Sequence, residues 1–342
     1  MTQLRIGLIG AGGIAGVHIA GWQQLGAHVS IYSRSGAAQL VHRYGVTEAA
    51  TLEELLAASD MVSILTPTTT HHQYAMAAIA AGKDVICEKP LAETTQRAVG
   101  IARAARAAGV RLFPAHVVRF FPEYVGAKEQ LDADSGQVPA VLRLSRASAA
   151  PAAGSWFFNE SLGGGIVRDQ MIHDLDQARW LAGEVQRVHA VQDPPSVAGI
   201  LPRPVTATVA LTHVNGALSH LQGEWGPDGR PFSTSISIEG PQGSRLYSWP
   251  EDQAATAPAT EVPATGNAPG NAPGDYLPVQ PPADSPYTLQ NAEFAAARAS
   301  GGPSRVSPLD GVMAVALAEA AYASIKSGAP VEFSAAAVRA LL

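Results

Sequence analysis

A glycine-rich turn joins an apolar run to an amphipathic segment at the beginning of the chain, and few folds accommodate that order. Residues Leu4 to Ile9 are typical of a buried β-strand, and the pattern from Ile14 to Leu25 predicts a helix. The turn contributes Gly10, Gly12, Gly13, Ile14 and Ala15, in the arrangement G-x-G-x-x-A. The first glycine permits a tight turn, the second lets the backbone approach a pyrophosphate, and the alanine keeps helix and strand close. Because free N–H groups at a helix N-terminus hold phosphates, this stretch predicts a dinucleotide-binding βαβ unit.

The segment after the second predicted strand bears on which nucleotide such a unit binds. That strand, Ala27 to Tyr32, ends in Ser33, Arg34 and Ser35. Chains that prefer NAD usually carry an Asp or Glu here to accept hydrogen bonds from the ribose hydroxyls, and Ser33 stands in its place. Without the acid, Arg34 can pair with a 2′-phosphate and the serines can donate to it. The residues favour NADP(H) over NAD(H); alternatively, Arg34 stacks on the adenine and either cofactor binds.

Strands and helices alternate as far as residue 118. Further strands are predicted over Met61 to Leu65, Asp84 to Cys87 and Val110 to Pro114. One intervening helix begins after Thr51, because Glu54 stands three residues later in a capping box. This alternation predicts a doubly wound parallel sheet of the Rossmann type, and we expect residues 1–118 to form an NAD(P)-binding domain.

The loop after the strand Met61 to Leu65 should carry cofactor contacts, since ligands bind at the carboxyl ends of strands in open α/β sheets. Thr66 and Pro67 begin this loop and are expected beside the nicotinamide ribose. His71 follows them. It either contacts the ligand or caps the next helix.

A second apolar strand ends abruptly in Glu88, Lys89 and Pro90. Pro90 removes a backbone donor and keeps Lys89 extended, so a helix cannot begin at the lysine. A lysine at this edge is expected to face both cofactor and substrate. Glu88 is included in the predicted cofactor site, in a mainly structural role; the alternative is a charged turn with a solvated lysine. Cys87, the single cysteine, is expected to pack as a small hydrophobe.

The regular alternation ends after His116. A helix is predicted over Glu123 to about Asp132, and from Val185 onward strands follow one another without intervening helices. The strands are predicted over Val138 to Ser148, Val185 to Gln192, Val205 to His213, Ala217 to Trp225 and Ser233 to Glu239. Asn215-Gly216 predicts a two-residue hairpin turn. We therefore expect residues 119–342 to form an α+β domain on a large, mainly antiparallel open sheet, with terminal helices over Thr288 to Ala299 and Pro308 to Ser327 packing back on the first domain. The Pro/Ala/Gly-rich segment 250–286 is predicted to be a mobile loop.

A second group of chemically active residues follows three consecutive glycines, Gly163 to Gly165. The pattern predicts one helix running to about Leu181, on which Asp169, His173 and Asp176 share a face. An imidazole beside carboxylates is a suitable proton acceptor near neutral pH. Two alternatives remain: an acid that stabilises the helix dipole beside a buried histidine, or a metal site, for which this set of ligands is incomplete. We predict no metal.

Composition excludes several classes of function. The 342 residues carry a formal net charge of −6 without a long basic run, which argues against nucleic-acid binding. One cysteine allows no intrachain disulfide. No uninterrupted apolar run approaches the roughly 18 residues that span a membrane, and no signal peptide is recognised. We therefore expect a soluble, cytoplasmic protein that binds neither nucleic acid nor membranes.

The motifs in this order resemble the Gfo/Idh/MocA oxidoreductases, which include glucose–fructose oxidoreductase and inositol dehydrogenases. The likeness extends over essentially the whole chain and includes the glycine loop, Glu88-Lys89-Pro90, and the glycines followed by Asp169 and His173. It implies hydride transfer between NAD(P) and a secondary alcohol or ketone of a sugar, inositol or related polyol, in a homodimer or homotetramer formed through the C-terminal sheet. The catalytic residues implied are Lys89, Asp169 and His173. The residues implied around the substrate are His116, Arg119, Trp156, Gln170 and His173.

Two other functions remain open for a chain of this kind: a redox-neutral enzyme that uses bound nucleotide for glycoside cleavage or elimination, and a non-enzymatic NADP(H)-binding sensor. Three positions depart from the family pattern. Met171 stands where the family usually has Gly, Arg168 where an apolar residue is common, and Val117 where a polar residue is frequent. Since these positions are expected near the substrate pocket, they affect the identity of the substrate more than the type of reaction.

Overall fold

The computed structural model describes residues 3–133, 138–162, 164–250 and 285–342. The predicted loop 250–286 lies almost entirely outside these ranges, as does Gly163.

The first sheet has six parallel strands. They are β1 (Arg5–Ile9), β2 (His28–Tyr32), β3 (Thr47–Glu48), β4 (Met61–Ile64), β5 (Asp84–Glu88) and β6 (Leu112–Ala115), in the order β3-β2-β1-β4-β5-β6. The accompanying helices are α1 (Ala15–Gln24), α2 (Ala38–Tyr44), α3 (Leu52–Ala58), α4 (His71–Ala80) and α5 (Thr95–Ala108). This order confirms the predicted Rossmann-type doubly wound sheet. Thr51 caps α3 through the predicted capping box with Glu54.

The second sheet has seven strands and is mainly antiparallel, as predicted. Its strands are β7 (Val141–Ala149), β8 (Val185–Asp193), β9 (Val205–His213), β10 (Leu218–Gly226), β11 (Ser233–Glu239), β12 (Arg245–Trp249) and β13 (Val331–Glu332). Their order is β12-β11-β7-β10-β9-β8-β13, and β7 and β10 run parallel. The helices of this part are α6 (Pro122–Ala133), α7 (Ile166–Asp169), α8 (Ile172–Ala182), α9 (Pro286–Ser300), α10 (Pro308–Ser327) and α11 (Ala335–Ala340).

The turn between β9 and β10 differs from the prediction. It has three residues, Val214 to Gly216, because the His213 N–H donates to the Ala217 oxygen at 2.9 Å and the Gly216 N–H donates to the His213 oxygen at 3.0 Å. Gly216 has φ 89°, a left-handed conformation that glycine adopts without strain. The Asn-Gly pair located the hairpin correctly but gave the wrong turn length.

Helix α10 connects the two parts of the molecule. Val312 and Val315 pack in the core beneath the first sheet, whereas Leu317 and Ala321 pack in the core of the second. By length and mean hydropathy of 1.2 this helix alone among the described residues qualifies as a candidate membrane span, yet 56% of the window is buried inside the protein. Its apolar character is thus accounted for by packing in the two cores. The proposed domain boundary, between residues 118 and 119, falls within the 3-10 turn Val117–Phe120 that joins the sheets.

Candidate active site

Lys89 follows β5 directly and lies at the carboxyl edge of the first sheet. Its Nζ donates to the main-chain oxygen of Asp169 at 2.8 Å and to the carboxylate Oδ1 at 3.2 Å. The lysine side chain is 12% exposed and that of Asp169 is 4% exposed. This ion pair joins the first sheet to the end of α7, so two residues 80 positions apart in sequence meet as the predicted catalytic set requires.

The helix that carries Asp169 and His173 is not continuous, so the prediction of one shared face was wrong. Asp169 is the last residue of α7, and His173 lies in the first turn of α8. The break has a physical cause in the two residues between. The Gln170 amide donates to main-chain oxygens of two neighbouring strands, at 2.8 and 3.4 Å. The Met171 side chain packs closely against Gly223: a Cβ on that glycine would lie only 2.6 Å from the methionine sulfur.

His173 is buried, with 1% of its surface exposed, and neither ring nitrogen has a hydrogen-bond partner among the described residues. Burial holds the pKa of His173 well below its ordinary value, and the positive charges of Lys89 and Arg146 and the nearby His116 lower it further. A neutral imidazole with a free nitrogen is a proton acceptor. His173 is therefore chemically available in a way that a hydrogen-bonded core histidine is not.

Burial also raises the pKa of Asp169, while the adjacent Lys89 opposes that rise. The carboxylate and the ammonium are desolvated together, and each compensates the charge of the other. The lysine is held additionally by the main-chain oxygen of Asp169, which carries no formal charge. Its position therefore does not depend on the carboxylate alone.

Glu88 supports the lysine from the other side. Its Oε2 accepts the Lys89 backbone N–H at 3.1 Å, and its Oε1 lies 3.0 Å from Nε2 of His18 on α1. Burial works to raise the pKa of Glu88, but the bond from His18 and the charge of Lys89 hold it below its ordinary value. This agrees with a structural role for Glu88. Sequence reasoning missed His18, although a lone histidine three residues after Ala15, on the helical face toward the sheet, was a detectable signal.

His116 and Arg119 have different surroundings. His116 is 1% exposed, its ring nitrogens have no hydrogen-bond partner in the described part of the chain, and burial lowers its pKa. Arg119 forms a buried two-bond pair with Asp176, at 2.8 and 2.6 Å, and also reaches Asp310 at 3.3 Å. Asp176 thus pairs with Arg119, Nδ1 of His116 lies 3.7 Å from its Oδ2, and Asp176 does not join Asp169 and His173 as predicted.

Gln170 and Trp156, which were also predicted to surround the substrate, differ from each other in their surroundings. Gln170 is fully buried, and besides its two amide bonds its Oε1 accepts from Ser148 at 3.2 Å. Every part of its carboxamide is used to anchor the sheet. Trp156 is half-buried in a 3-10 turn and stacks on Phe157 with ring centroids 4.1 Å apart. Gln170 is therefore a structural support, whereas Trp156 keeps an exposed surface.

The glycine loop has the shape that a dinucleotide requires. Gly10 has φ 110°, and a Cβ there would lie 2.8 Å from the Leu65 oxygen, so only glycine fits. A Cβ at Gly12 would meet nothing within 4 Å, which leaves open space above the backbone. No side chain caps the beginning of α1 at Ile14, and Ala15 is fully buried. The loop residues, Gly13 included, thus fit a pyrophosphate at an uncapped helix N-terminus.

The end of β2 lies beside this loop, since the Gly10 N–H donates to the Tyr32 oxygen at 2.9 Å. Ser33 and Ser35 place their hydroxyl oxygens 3.1 Å apart, and Arg34 between them is exposed. Two hydroxyls and one guanidinium at this edge form a set of donors suited to an anion.

The loop after β4 is held by His71. Its Nδ1 lies 2.8 Å from the Pro90 oxygen and its Nε2 lies 2.7 Å from the Thr66 oxygen. Both ring nitrogens therefore face protein carbonyls and not a ligand, and burial lowers the pKa of His71 despite these two acceptors. His71 does not cap α4 either, because no side-chain cap is present there. It ties the Thr66-Pro67 loop to the turn after Lys89, an arrangement that neither predicted role anticipated.

The fold and site define a dinucleotide-binding protein of the Rossmann type whose second domain closes over the cofactor edge. Residues 4–116 match the GFO_IDH_MocA model, described as an oxidoreductase family with an NAD-binding Rossmann fold, and residues 133–245 match the GFO/IDH/MocA C-terminal domain. The chain belongs to this family, as the motifs indicated.

Curated relatives and solved structures agree with this assignment. The chain is 33% identical over 211 residues to an inositol 2-dehydrogenase of Klebsiella pneumoniae subsp. pneumoniae, covering 57% of this chain and 59% of that protein. It is 34% identical over 190 residues to an inositol 2-dehydrogenase of Burkholderia cenocepacia, covering 53% and 55%. The chain thus matches somewhat over half the length of these relatives.

GenD2 from gentamicin A biosynthesis, solved with NAD, superposes with a TM-score of 0.80 at 26% identity, over 98% of this chain and 97% of that one. Levoglucosan dehydrogenase, solved with NADH and L-sorbose, shares the fold with a TM-score of 0.79 at 23% identity, over 98% of this chain and 100% of that one.

Proposed function

We propose that this protein is an NAD(P)-dependent oxidoreductase that transfers hydride between the nicotinamide and a secondary alcohol or ketone of a sugar, inositol or related polyol. One observation carries the proposal: the Lys89–Asp169 pair and the buried imidazole of His173, whose nitrogens have no hydrogen-bond partner within the described ranges, come together at the carboxyl edge of the dinucleotide-binding sheet. The relatives named inositol 2-dehydrogenase support a polyol as substrate.

In the proposed mechanism, the glycine loop from Gly10 to Ala15 would hold the cofactor, which would supply hydride acceptance for alcohol oxidation and hydride donation for ketone reduction. His173 takes the proton of the substrate hydroxyl, because its lowered pKa keeps the imidazole neutral and neither nitrogen is hydrogen-bonded in the part of the chain that the structure describes. In the reverse direction the protonated ring gives that proton back.

In this mechanism Lys89 stabilises the negative charge that develops on the substrate oxygen. Asp169 orients its ammonium through two acceptors, the main-chain oxygen and Oδ1. Glu88 fixes the backbone of the lysine. The side chain is therefore held at both ends before substrate arrives, and this preorganisation spares the cost of ordering it in the transition state.

For the cofactor, we propose NADP(H) in preference to NAD(H). The supporting observations are the exposed Arg34, the two serine hydroxyls beside it, and the absence of an acid at position 33 in the sequence. A 2′-phosphate at this edge would be paired with the guanidinium.

We also propose that the protein is a cytoplasmic homodimer or homotetramer that associates through the outer face of the second sheet. Exposed residues alternate there with buried ones along the strands, and they include Arg187, His189, Thr206, Thr208, His220 and Gln222. The same face exposes Val191 and Leu218, and a broad face of mixed polar and apolar side chains is suited to pairing with a second copy. Light scattering of the full chain tests this, and a monomer at micromolar concentration contradicts it.

The function is tested by a panel of inositols, aldoses, keto-sugars and anhydrosugars, read by absorbance of the reduced cofactor in both directions. We expect turnover of at least one secondary alcohol and loss of that turnover in His173→Asn. The absence of any absorbance change across the panel, with nucleotide retained through purification, contradicts the proposal and favours a redox-neutral reaction.

A further inference from the structure

The N-terminal half of α8 is held on two sides by buried ion pairs. Asp174 and Asp176 are two residues apart, so their side chains leave the helix about 200° from each other. Asp176 pairs with Arg119 at the junction of the two sheets, and Asp174 pairs with Arg146 of β7. His173, which directly precedes Asp174, is carried by the same turn.

The Arg146–Asp174 pair is a fork in a fully enclosed place. Nε of Arg146 lies 3.1 Å from Oδ2 and Nη2 lies 2.9 Å from Oδ1, and the two side chains are 2% and 1% exposed. Nη2 also donates to the Tyr124 hydroxyl at 3.0 Å, which in turn lies 2.7 Å from the Thr234 hydroxyl. Burial raises the pKa of Asp174, and the guanidinium counteracts this. The Arg146 guanidinium therefore joins its own strand β7 to α8, through Asp174, and to α6, through Tyr124.

Stability alone does not explain this pair. Removing two charges from water carries a large desolvation cost, and apolar side chains of similar volume are often as stable or more stable in their place. The bidentate geometry does supply a fixed distance and angle between β7 and the beginning of α8.

The ring of His173 needs such support, because no hydrogen bond to either nitrogen sets its orientation among the described residues. We propose that Arg146 and Asp174 are a positioning pair for His173: the fork fixes the first turn of α8 against β7 and so directs the imidazole at the substrate hydroxyl. This inference rests on the proposed function for the identity of the proton donor. Arg146 and Asp174 act through His173 and are not catalytic residues themselves.

The test is the double variant Arg146→Met/Asp174→Leu, which removes both charges and leaves neither partner buried alone. Arg5→Met/Asp60→Leu is the control for loss of a two-bond ion pair distant from His173: Arg5 and Asp60 pair at 2.6 and 3.2 Å at the opposite edge of the first sheet, with side chains 50% and 24% exposed. We expect the double variant to melt within a few degrees of wild type, to bind NADPH with unchanged affinity, and to lose roughly 10- to 100-fold in kcat. Its primary deuterium isotope effect should rise, and Arg146→Lys should recover part of the rate. The control should change none of these.

A second readout does not require a substrate. NMR of the histidine side chains is recorded on the full chain with isotope-labelled histidine, and the His173 signal is assigned by its loss in His173→Asn. Wild type should give one narrow His173 signal. The double variant should give a broadened or split one. A folded double variant with wild-type kcat, or with an unchanged His173 signal, overturns the proposal. If wild type turns over nothing on the sugar panel, the proposed function fails, and the NMR comparison alone decides for or against the positioning pair.

Discussion

Nζ of Lys89 lies 2.8 Å from the main-chain oxygen of Asp169 and 3.2 Å from its carboxylate. The two residues come from different parts of the fold, since Lys89 directly follows β5 of the first sheet and Asp169 is the last residue of α7. Their contact brings a buried cation, a buried anion and a neutral imidazole to one edge of the dinucleotide-binding domain.

Replacing the lysine should remove catalysis but not cofactor binding. In Lys89→Met we expect kcat to fall by about 10²- to 10³-fold, because the charge that stabilises the developing alkoxide is lost. Steady-state kinetics and NADPH fluorescence titration measure the two properties. Lys83→Met is the control: this lysine precedes β5 at the opposite edge, and its Nζ donates to the Ser59 oxygen at 2.9 Å. Near-normal turnover in Lys89→Met contradicts the assigned role.

Asp169→Asn should be less damaging than Lys89→Met. The variant loses the carboxylate, but the main-chain oxygen still accepts from Nζ, so the lysine keeps that contact. We expect a loss of roughly 10- to 100-fold in kcat with KM for the cofactor unchanged. A loss equal to that of Lys89→Met would show that the main-chain contact does not hold the lysine.

The pH profile should report the low pKa of His173. Burial, Lys89, Arg146 and His116 all disfavour the charged ring, so the base is neutral until the pH falls below the ordinary histidine value of about 6.5. For alcohol oxidation, kcat/KM should therefore lose activity only below that pH, whereas ketone reduction, which needs the protonated ring, should weaken as the pH rises. His28→Gln, at the exposed beginning of β2, should leave the profile unchanged. An acid limb centred at or above pH 6.5 contradicts this prediction.

Cofactor preference should follow Arg34. Arg34→Ala should weaken NADPH binding about tenfold or more and leave NADH binding nearly unchanged, because the guanidinium pairs only with the 2′-phosphate. Ser33→Asp should weaken NADPH binding further by repulsion. Dissociation constants from fluorescence titration give the ratio directly. Tighter binding of NADH than of NADPH by wild type removes the proposed preference.

Met171 and Gly223 should be energetically coupled. A Cβ on Gly223 would lie 2.5 Å from Cγ of Met171, so Gly223→Ala should destabilise the protein by about 1–3 kcal/mol. In a Met171→Ala background the same change should cost less than about 1 kcal/mol, since the overlap is gone. Urea denaturation of the four proteins measures the coupling. Equal costs in both backgrounds would show that the methionine does not occupy the space above the glycine.

Local patterns predicted most of the fold, and their failures have identifiable causes. The glycine loop, the capping box at Thr51 and the β-branched runs are local signals, and the elements they predicted are present. The strand Thr47–Glu48 was missed because two residues cannot show a period. The break after Asp169 was missed because it arises from tertiary contacts: Gln170 binds main-chain oxygens of two strands, and no pattern within the helix indicates them.

In the candidate site, too, local sequence patterns were informative and tertiary contacts could not be predicted. Motif order brought Lys89, Asp169 and His173 forward as candidates, and the ion pair between the first two agrees with it. The partners of Arg119, Gln170 and His71 come from distant segments, so helical spacing and strand position could not reveal that these side chains were already committed.

The most direct measurement follows deuterium from the substrate. A polyol from the panel, deuterated at the reacting carbinol carbon, is incubated with NADP⁺ and enzyme, and the mass of the reduced cofactor is measured. The proposed site predicts that wild type transfers the deuterium to the nicotinamide and that Lys89→Met, with cofactor still bound, does so at least about 10²-fold more slowly. Reduced cofactor without deuterium, or equal transfer by both proteins, would contradict direct hydride transfer at this site.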